Sequence, residues 1–562
     1  MPVSDKRPLS PAGHSESPQT EAAQPTRHDR LEKATVVVVF LLIGAIYLAL
    51  VPRVWFLRPD SAVYVGLARS LARGEGYTFN LAPYGKYPPV FPLMLALVYA
   101  TLGQNTWAMQ LLVALCGVGA LVATYALVRP RAGRWPALAV VLLTATCTWF
   151  CGHSVLYLLS GIPYAFFSLA ALWLAERELR SARFWVLRWL VVAVLATVAT
   201  YTHLSGVALV PALALGILVG RAPARTRRER WLAAAVVAGI CSLAAGYWVV
   251  RGWGLPHTAS YEELVTAPTH GVGWIVEKGA LRLREWTAAP LSTNCRRVSW
   301  PFALVWLGLL LVPGLVKAIR QSRDLTAFYV CAYFVVMTVA GGSGGHQRYV
   351  VPVMPLLFYF GYSSAAIVGE WVASALGRLR RGGRYAASAR RWPRVVVVLL
   401  ALCVAGYSAS RWAKAKNVSE GFTAGGRAAA GSKLRMWQEV GRWAETHVPR
   451  RATICTSDLG SWSYVHFFTG RHVVALRPNV SAAEVLSMMA HQDVGFVFED
   501  ARPETTMRLT PVLRQYPECF TLLRGNEQCR LYRVEKEKLR SLASVLTTHG
   551  DPRNPSGPPQ AF

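Results

Sequence analysis

Charged residues are scarce in this sequence, and acidic residues are scarcer still. Only 16% of the 562 residues are charged, against roughly 25% in soluble domains, and the 60 Lys and Arg residues outnumber the 30 Asp and Glu residues. Because a charge in hydrocarbon costs several kcal/mol, this deficit is typical of a polytopic membrane protein. The basic residues occur in short clusters between apolar runs, whereas a nucleic-acid-binding protein carries them as a patch or stripe on one face. The composition therefore gives no reason to expect a nucleic-acid partner.

The sequence also lacks the cysteine pattern of a disulfide framework. Most of its 10 cysteines lie inside apolar runs, where a thiol packs as a small hydrophobic group. Cys519 and Cys529 lie in a late polar region instead. A disulfide between them and a pair of free thiols both fit, since spacing alone does not fix the geometry of a disulfide.

Long apolar runs dominate the first two thirds of the chain and predict about eleven membrane-spanning helices. Residues 1–33 are rich in Pro, Ser and charge, and we expect them to be disordered. The first apolar run begins only near Thr35, so no cleavable signal peptide is expected. The spans are predicted near 35–57, 105–128, 135–151, 154–175, 184–202, 205–220, 231–250, 298–316, 325–341, 348–369 and 394–411.

The weaker apolar stretch Pro88–Gly103 decides the orientation of the whole chain. If this stretch does not cross the membrane, every internal basic cluster falls on the cytoplasmic side, as the positive-inside rule requires. We therefore predict a re-entrant or interfacial element here and a cytoplasmic N-terminus. The transmembrane domain is then 34–412, with outer loops at 58–104 and 252–297.

The chain beyond the last span alternates between helix and strand patterns, which predicts a small extracytoplasmic α/β domain at 413–540. No nucleophile constellation and no phosphate-binding loop occur in it, so we predict a supporting or acceptor-docking role. The tail, 541–562, is expected to be disordered. The predicted elements are helices at Lys433–His447, Leu459–Phe468 and Ala482–Gln492, parallel strands at Ala452–Cys455 and Val494–Phe498, and a hairpin of Cys519–Arg524 with Cys529–Val534.

The first outer loop carries the most informative pattern. Val63, Leu67 and Leu71 recur at helical spacing and predict a helix that ends near Gly74. Asp60, at the start of this helix, suits an N-cap, which periodicity alone favours by roughly two to one. It also suits a general base or a metal ligand at the membrane surface.

Lys86 follows this helix in a proline-rich stretch at the predicted interface. By default such a lysine snorkels towards the headgroups. It also suits a contact with the phosphate of a lipid carrier.

Several segments together resemble the lipid-phosphate-sugar glycosyltransferases, the superfamily that includes protein O-mannosyltransferases and the lipid A aminoarabinose transferase. Each string is modest alone, but their order and spacing extend over most of the chain. The strings are Pro59-Asp60-Ser-Ala-Val-Tyr64, Leu-Ala-Arg-Gly-Glu-Gly-Tyr77, Lys86-Tyr-Pro-Pro-Val-Phe-Pro92, Ser160-Gly-Ile-Pro163-Tyr164, Arg348-Tyr349-Val-Val-Pro352 and Thr469-Gly470-Arg471.

The resemblance implies a mainly α GT-C fold, and an inverting enzyme that transfers a sugar from a polyprenyl phosphate to a hydroxyl of a protein, lipid or cell-envelope glycan. The cavity would lie above the outer leaflet of the membrane. Asp60 matches the family's first-loop aspartate, taken as the base or as an acid that orients the acceptor. Lys86 lies where relatives keep a polar residue near the donor phosphate, and Arg348 and Tyr349 match the late motif that faces the same cavity; all three are predicted to bind the donor. The predicted substrate-binding residues also include Tyr64 and His346.

One departure from the family stands out. Gly161 occupies a position where relatives often carry an acidic residue, which puts activity in doubt if that acid is needed. The family is mixed on metals, so a divalent ion is left open as a cofactor, with Asp60, Glu262 and His153 as candidate ligands. No diagnostic ligand spacing is present. His203, between two spans, is interpreted as a hydrogen-bonded turn histidine.

Two other functions fit parts of the sequence. The number of spans also suits a transporter or lipid flippase, although no internal repeat is evident and the polar cluster lies at one interface. Gly161 motivates a non-catalytic relative that binds a lipid-linked sugar or scaffolds envelope assembly. The preference for Arg over Lys, with many Ala and Val residues, indicates a GC-rich bacterial genome, hence an inner membrane and a periplasmic site.

Overall fold

A computed structural model describes most of the chain, and it divides the chain into two units, Met1–Leu42 and Ile43–Phe562. The first helix, Arg27–Leu50, contributes to both units, and the other described elements belong to the second. Residues 27–33, predicted to be disordered, begin this helix. The described residues are 27–181, 183–220, 226–252, 271–291, 298–322, 324–340, 347–379, 392–410, 424–457, 459–476, 480–500, 509–527 and 529–549.

Up to residue 410 the described chain is almost wholly helical. Short 3-10 helices at Leu204–Ala208 and Gln347–Val353 interrupt the series, as does a π-helix at Ala318–Ser322. The helices are α1 (Arg27–Leu50), α2 (Pro59–Ala72), α3 (Val90–Leu102), α4 (Thr106–Ala132), α5 (Arg134–Thr146), α6 (Thr148–Val155), α7 (Gly161–Arg180), α8 (Val186–Thr202), α9 (Leu209–Val219), α10 (Arg227–Gly252), α11 (Val272–Ala288), α12 (Trp300–Leu310), α13 (Val312–Lys317), α14 (Leu325–Ala340), α15 (Met354–Leu379) and α16 (Trp392–Ser410).

Within the described ranges, 5 helices are long and apolar enough to cross a bilayer, and a sixth does so if α5 and α6 count as one span with a 65° bend. Four further apolar helices are shorter than 18 residues, so the prediction of about eleven spans is not confirmed. Helix α3 has 13 residues and reaches ~20 Å, less than the ~30 Å hydrocarbon core. Its re-entrant or interfacial placement stays a prediction.

The structure corrects three features of the predicted topology. The break predicted between the spans 135–151 and 154–175 lies inside α6, and the helix is instead interrupted at Cys147, whose extended backbone ends α5. The Ser160-Gly161 motif does not lie within a span but begins α7. The segment 252–297, predicted as an outer loop, contains the 17-residue amphipathic helix α11.

The C-terminal part contains the predicted small α/β layer. Its helices are α17 (Ala424–His447), α18 (Leu459–Thr469), α19 (Ala482–His491), α20 (Leu509–Gln515) and α21 (Lys536–His549). Its strands are β3 (Thr453–Thr456), β4 (His472–Ala475), β5 (Val494–Asp500), β6 (Phe520–Gly525) and β7 (Cys529–Val534), ordered β4-β3-β5-β7-β6. The first three strands are parallel, and β5, β7 and β6 pair antiparallel.

Two details of this layer differ from the sequence expectation, and a third selects one of two alternatives that the sequence left open. Strand β4 was not predicted, and α21 extends to His549 although 541–562 was expected to be disordered. Cys519 and Cys529 are buried free thiols. The boundaries of the predicted domains at 413 and 540 stay predictions.

A two-stranded hairpin between α2 and α3, formed by β1 (Thr78–Phe79) and β2 (Ala82–Pro83), joins this layer to α2. Asn80, at the tip with φ 56°, donates from its side-chain amide to the Val473 carbonyl and accepts from the Val473 N–H, at 3.0 and 2.7 Å. The Phe79 ring packs across α2, where a Cβ on Gly66 would lie 2.5 Å from it. The C-terminal layer thus contacts the helix that begins with Asp60.

His466 also contributes to the contact between the C-terminal layer and the hairpin, as a neutral ring with its proton on Nδ1. Its Nε2 accepts the Asn80 backbone N–H at 2.9 Å, and a backbone N–H can only donate, so Nδ1 carries the proton. That proton is donated to the Arg471 carbonyl at 2.8 Å. Burial, together with the charge of Arg69, lowers the pKa of His466 to about 4, although the hydrogen bond to the Arg471 carbonyl opposes the shift.

The contact should therefore weaken in acid. An unfolded histidine titrates near 6.5, so the unfolded state binds more protons than the folded state between about 6.5 and about 4. The stabilisation is present above the upper value and is lost as the pH falls. We expect the melting temperature of the wild type to fall from pH 7.5 to pH 4.5 by several degrees more than that of His466→Gln. An equal fall in both proteins, measured beside the exposed control His491→Gln, would contradict this.

Candidate functional site

Asp60 does not cap helix α2, so its side chain is available for contacts outside the helix. Arg58, in extended conformation, is the N-cap, and its N–H donates to Ser61 Oγ at 2.9 Å. Pro59 occupies the first helical position, where a missing N–H has no cost. Asp60 is the next residue, so the N-cap interpretation of Asp60 was wrong.

The Asp60 carboxylate instead makes two contacts with distant residues. Its Oδ2 accepts a hydrogen bond from Arg348 Nη1 at 2.6 Å, and its Oδ1 accepts one from the Tyr87 hydroxyl at 2.7 Å. Both side chains of the ion pair remain partly accessible, at 25% for Asp60 and 33% for Arg348. The site is thus an ion pair that a ligand can reach.

The electrostatics of this cluster favour an ionised carboxylate. Burial alone raises the pKa of Asp60, but the charge of Arg348, the Tyr87 hydroxyl and the charge of Lys86 lower it, and the net pKa lies below its ordinary value. Burial and the neighbouring carboxylate raise the pKa of Tyr87 well above its ordinary value, so Tyr87 stays a hydrogen-bond donor. Asp60 is therefore available as a base at neutral pH.

Lys86 lies beside the same carboxylate without pairing to it. Its Nζ is 5.8 Å from the centroid of the Tyr87 ring, and no carboxylate partner of Lys86 occurs among the described residues. Two cations therefore surround one carboxylate. The excess positive charge suits an anionic ligand such as a phosphate.

Tyr64 and Tyr349 line this cluster from opposite sides. The Tyr64 hydroxyl bonds Ser160 Oγ at 2.8 Å, and its ring lies 4.7 Å from that of Tyr87. The Tyr349 ring lies beneath the Arg348 guanidinium, 5.1 Å away, and its hydroxyl accepts from Arg348 Nη2 at 3.3 Å. The structure thus brings together five of the residues singled out by sequence, whereas His346 lies outside the described residues.

Sequence reasoning missed Tyr87 as a direct partner of Asp60. The string Lys86-Tyr-Pro-Pro contains this tyrosine, but only the lysine carries the charge that indicates a phosphate contact. An aromatic hydroxyl between a lysine and two prolines gives no periodic signal. Only the packing of the loop against α2 brings its hydroxyl to the carboxylate.

The candidate metal ligands do not form a metal site among the residues described. No group of three or more His, Cys, Asp or Glu side chains there could hold an ion, and Glu262 lies outside the described ranges. His153 Nδ1 bonds the Trp149 carbonyl at 2.8 Å. Both oxygens of Asp60 already accept hydrogen bonds, one of them from a guanidinium. The described residues alone therefore do not form a metal site.

Gly161 lies beside the cluster with open space around it. A Cβ there would meet only Pro352 Cγ, at 4.0 Å. The neighbouring Ser160 holds Tyr64. Gly161 is thus adjacent to the site and has room for a side chain.

Comparison with known proteins gives a consistent picture of the fold. Residues 86–248 match the family described as dolichyl-phosphate-mannose-protein mannosyltransferase. A search of curated proteins finds no match. Since the family match includes Lys86, Tyr87, His153, Gly161 and His203, it covers one side of the site.

Two solved structures are similar to most of the chain. ArnT from Cupriavidus metallidurans bound to undecaprenyl phosphate is 15% identical with a TM-score of 0.54, over 89% of this chain and 98% of that one. The archaeal oligosaccharyltransferase AglB from Archaeoglobus fulgidus, in complex with an inhibitory peptide and a dolichol-phosphate, is 11% identical with a TM-score of 0.53, over 88% and 73%. At these identities the likeness shows the fold, which is the predicted GT-C fold.

Proposed function

Because this multi-pass chain has the GT-C fold of the polyprenyl-phosphate-sugar glycosyltransferases and matches one of their families over residues 86–248, we propose that it is a glycosyltransferase. It moves a hexosyl or pentosyl group from a polyprenyl-phosphate carrier to an acceptor hydroxyl on the outer face of the membrane, with inversion at the anomeric carbon. The acceptor is a protein, a lipid or a cell-envelope glycan.

The observation that carries this proposal is the contact of Asp60 with Arg348 and Tyr87, with Lys86 nearby. A lipid phosphate is already a good leaving group, so the enzyme need not protonate it. Cations placed at its oxygens stabilise the negative charge that develops as the sugar departs. A carboxylate ionised at neutral pH supplies the base that the acceptor hydroxyl needs.

The proposed step is a single displacement. The acceptor oxygen forms a bond to the anomeric carbon while the bond between that carbon and the phosphate oxygen breaks, and its electron pair stays on the phosphate. The acceptor proton passes to Asp60. Attack opposite to the leaving group inverts the anomeric configuration.

Arg348 has spare capacity to bind the donor phosphate. Its Nη1 and Nη2 contact Asp60 and Tyr349, while its Nε–H is buried without an acceptor among the described residues. A guanidinium binds a phosphate in bidentate fashion. Since this N–H is buried, the donor phosphate would reach it only if the guanidinium shifts, and that shift would loosen the hold of Arg348 on Asp60.

We place the protein in a bacterial inner membrane with a cytoplasmic N-terminus. The site and the C-terminal layer are then periplasmic, and this layer supports the first outer loop through Asn80 and His466. The orientation rests on the predicted distribution of basic loops.

The experiment is a transfer assay in membranes with a panel of labelled polyprenyl-phosphate sugars, comparing cells with and without the protein. We expect one sugar to be transferred, and NMR of the product to show the opposite anomeric configuration to the donor. Retention of configuration would exclude single displacement. Absence of transfer from every donor, despite donor binding, would favour the alternative below.

The alternative is a relative that binds a lipid-linked sugar without turnover, and Gly161 favours it. Since a Cβ at this position meets only Pro352 Cγ at 4.0 Å, Gly161→Asp should fold normally. We expect Gly161→Asp to raise the transfer rate by up to about tenfold, because a second carboxylate can assist proton transfer. Gly161→Asn is the matched control of equal size. Equal rates in both variants would show that the missing acid has no role.

A further inference from the structure

His203, interpreted from sequence as a turn residue, has a defined protonation state. It lies between α8 and the 3-10 helix Leu204–Ala208, and its Nδ1 accepts the Ser205 backbone N–H at 3.2 Å and contacts Ser205 Oγ at 2.7 Å. Because a backbone N–H can only donate, Nδ1 holds a lone pair. In the neutral ring the proton is therefore on Nε2.

The ring is held in one orientation by its surroundings. The Gly206 N–H donates to the His203 carbonyl at 2.8 Å, and a Cβ on Gly206 would lie 2.5 Å from Thr200 Cα, so the turn requires glycine. The Tyr164 ring stacks on His203 with centroids 5.6 Å apart, and its hydroxyl bonds that of Tyr329 at 2.7 Å. The Nε2–H thus has a fixed direction.

This ring lies at the edge of the candidate site. It contacts the Tyr349 ring edge-on, with centroids 6.2 Å apart, and Arg348 covers the same Tyr349 ring while it pairs with Asp60. No acceptor for Nε2 occurs among the described residues, and Nε2 is not among their fully buried unpaired atoms. Within the described part of the chain this donor thus has no acceptor and is not fully buried, and its ring lies against the Tyr349 ring that Arg348 covers.

The charge state of His203 is also fixed. Burial, together with the charge of Arg348, lowers its pKa to about 4, although the charge of Asp60 opposes the shift. The ring is thus neutral near pH 7, and it offers a hydrogen bond without offering a proton. Such a donor stabilises charge on an oxygen and does not protonate it.

We propose that His203 Nε2–H binds a phosphate oxygen of the lipid-linked donor, next to Arg348. The inference rests on the proposed function and adds a neutral residue to its charged site. Arg348 and Lys86 supply positive charge, and His203 supplies a directed hydrogen bond from the wall of the bundle. As the sugar leaves, charge accumulates on the phosphate oxygens and this hydrogen bond strengthens.

Two variants distinguish phosphate binding by His203 Nε2 from the structural role of Nδ1 in the turn. In His203→Asn the side-chain carbonyl replaces Nδ1 and keeps the bond from Ser205, but the Nε2 donor is lost. In His203→Gln the amide reaches the position of Nε2, but the bond from Ser205 is lost. We expect His203→Asn to keep the wild-type melting temperature and to lower kcat/KM for the donor by roughly 10- to 100-fold, as for a hydrogen bond to a charged group. His203→Gln should recover most of that rate with a lower melting temperature.

Carrier binding provides a second readout that does not require turnover. Undecaprenyl phosphate in detergent should raise the melting temperature of the wild type and of the exposed control His491→Asn, and raise that of His203→Asn less. If His203→Asn matches the control in both carrier binding and transfer, His203 is only a turn residue and the inference is overturned. If the wild type neither binds the carrier nor transfers sugar, the proposed function fails, and this inference fails with it.

Discussion

Asp60→Asn is expected to lower kcat for sugar transfer by roughly 10²- to 10⁴-fold, the usual contribution of a general base, while the protein still folds. An amide can keep both contacts of the carboxylate. Its oxygen can accept from Arg348, and its NH₂ can donate to the Tyr87 hydroxyl, which accepts as well as donates. The geometry is therefore preserved, and the proton acceptor is removed.

Initial rates with a labelled lipid-linked sugar measure this effect, and thermal unfolding checks the fold. A matched control is Asp493→Asn, because Asp493 also pairs with cations, Lys536 at 2.7 Å and Arg540 at 3.0 Å, but is 62% exposed in the C-terminal layer. We expect the control to retain the wild-type rate. Equal rates in Asp60→Asn and Asp493→Asn would remove Asp60 from the chemistry.

Arg348→Gln should have the second-largest effect, on donor binding and on pH dependence together. The loss of a charge-assisted contact with a phosphate should raise KM for the donor by roughly 10- to 100-fold. The pKa of Asp60 should rise, because the charge of Arg348 is the strongest influence that lowers it. Asp60 must be deprotonated to act, so the acid limb of the pH–rate profile should move to higher pH.

Arg348→Lys keeps the positive charge but removes the planar guanidinium, so it tests whether the geometry of the guanidinium matters. Lysine keeps the charge, but as a point charge it cannot contact both Asp60 and the Tyr349 hydroxyl or stack on the Tyr349 ring. We expect a smaller shift of the acid limb than in Arg348→Gln but a similar rise in KM. Arg524→Gln, which breaks an exposed pair with Glu439 of equal length, 2.6 Å, is the control. An acid limb that stays in place in Arg348→Gln would contradict the coupling between Arg348 and Asp60.

The sequence predicted the residues of the site better than their local roles. Asp60 and Arg348 are separated by 288 positions, and only the resemblance to known families placed them in one cavity. Periodicity favoured an N-cap for Asp60, because a helix start and a polar residue coincide there. It could not show that Arg58 would take the cap and leave the carboxylate for a tertiary contact.

The features that the sequence did not reveal depend on tertiary packing. His203 looked like a turn residue and is one, but its second nitrogen acquires significance only because Tyr349 packs against the ring. Strand β4 was not predicted, and it is stabilised by tertiary contacts, namely pairing with β3 and hydrogen bonds with Asn80. The break was predicted between residues 151 and 154 instead of at Cys147, because α5 and α6 form one continuous apolar run in the sequence.

The most direct measurement of the central claim follows the bond between sugar and phosphate. Proteoliposomes that contain the purified protein, a polyprenyl-phosphate sugar labelled in the sugar, and an extract of cell-envelope acceptors should yield label covalently attached to an acceptor, together with free polyprenyl phosphate. Label that crosses the bilayer while the bond between sugar and phosphate stays intact would contradict the claim, and it would identify a transporter instead.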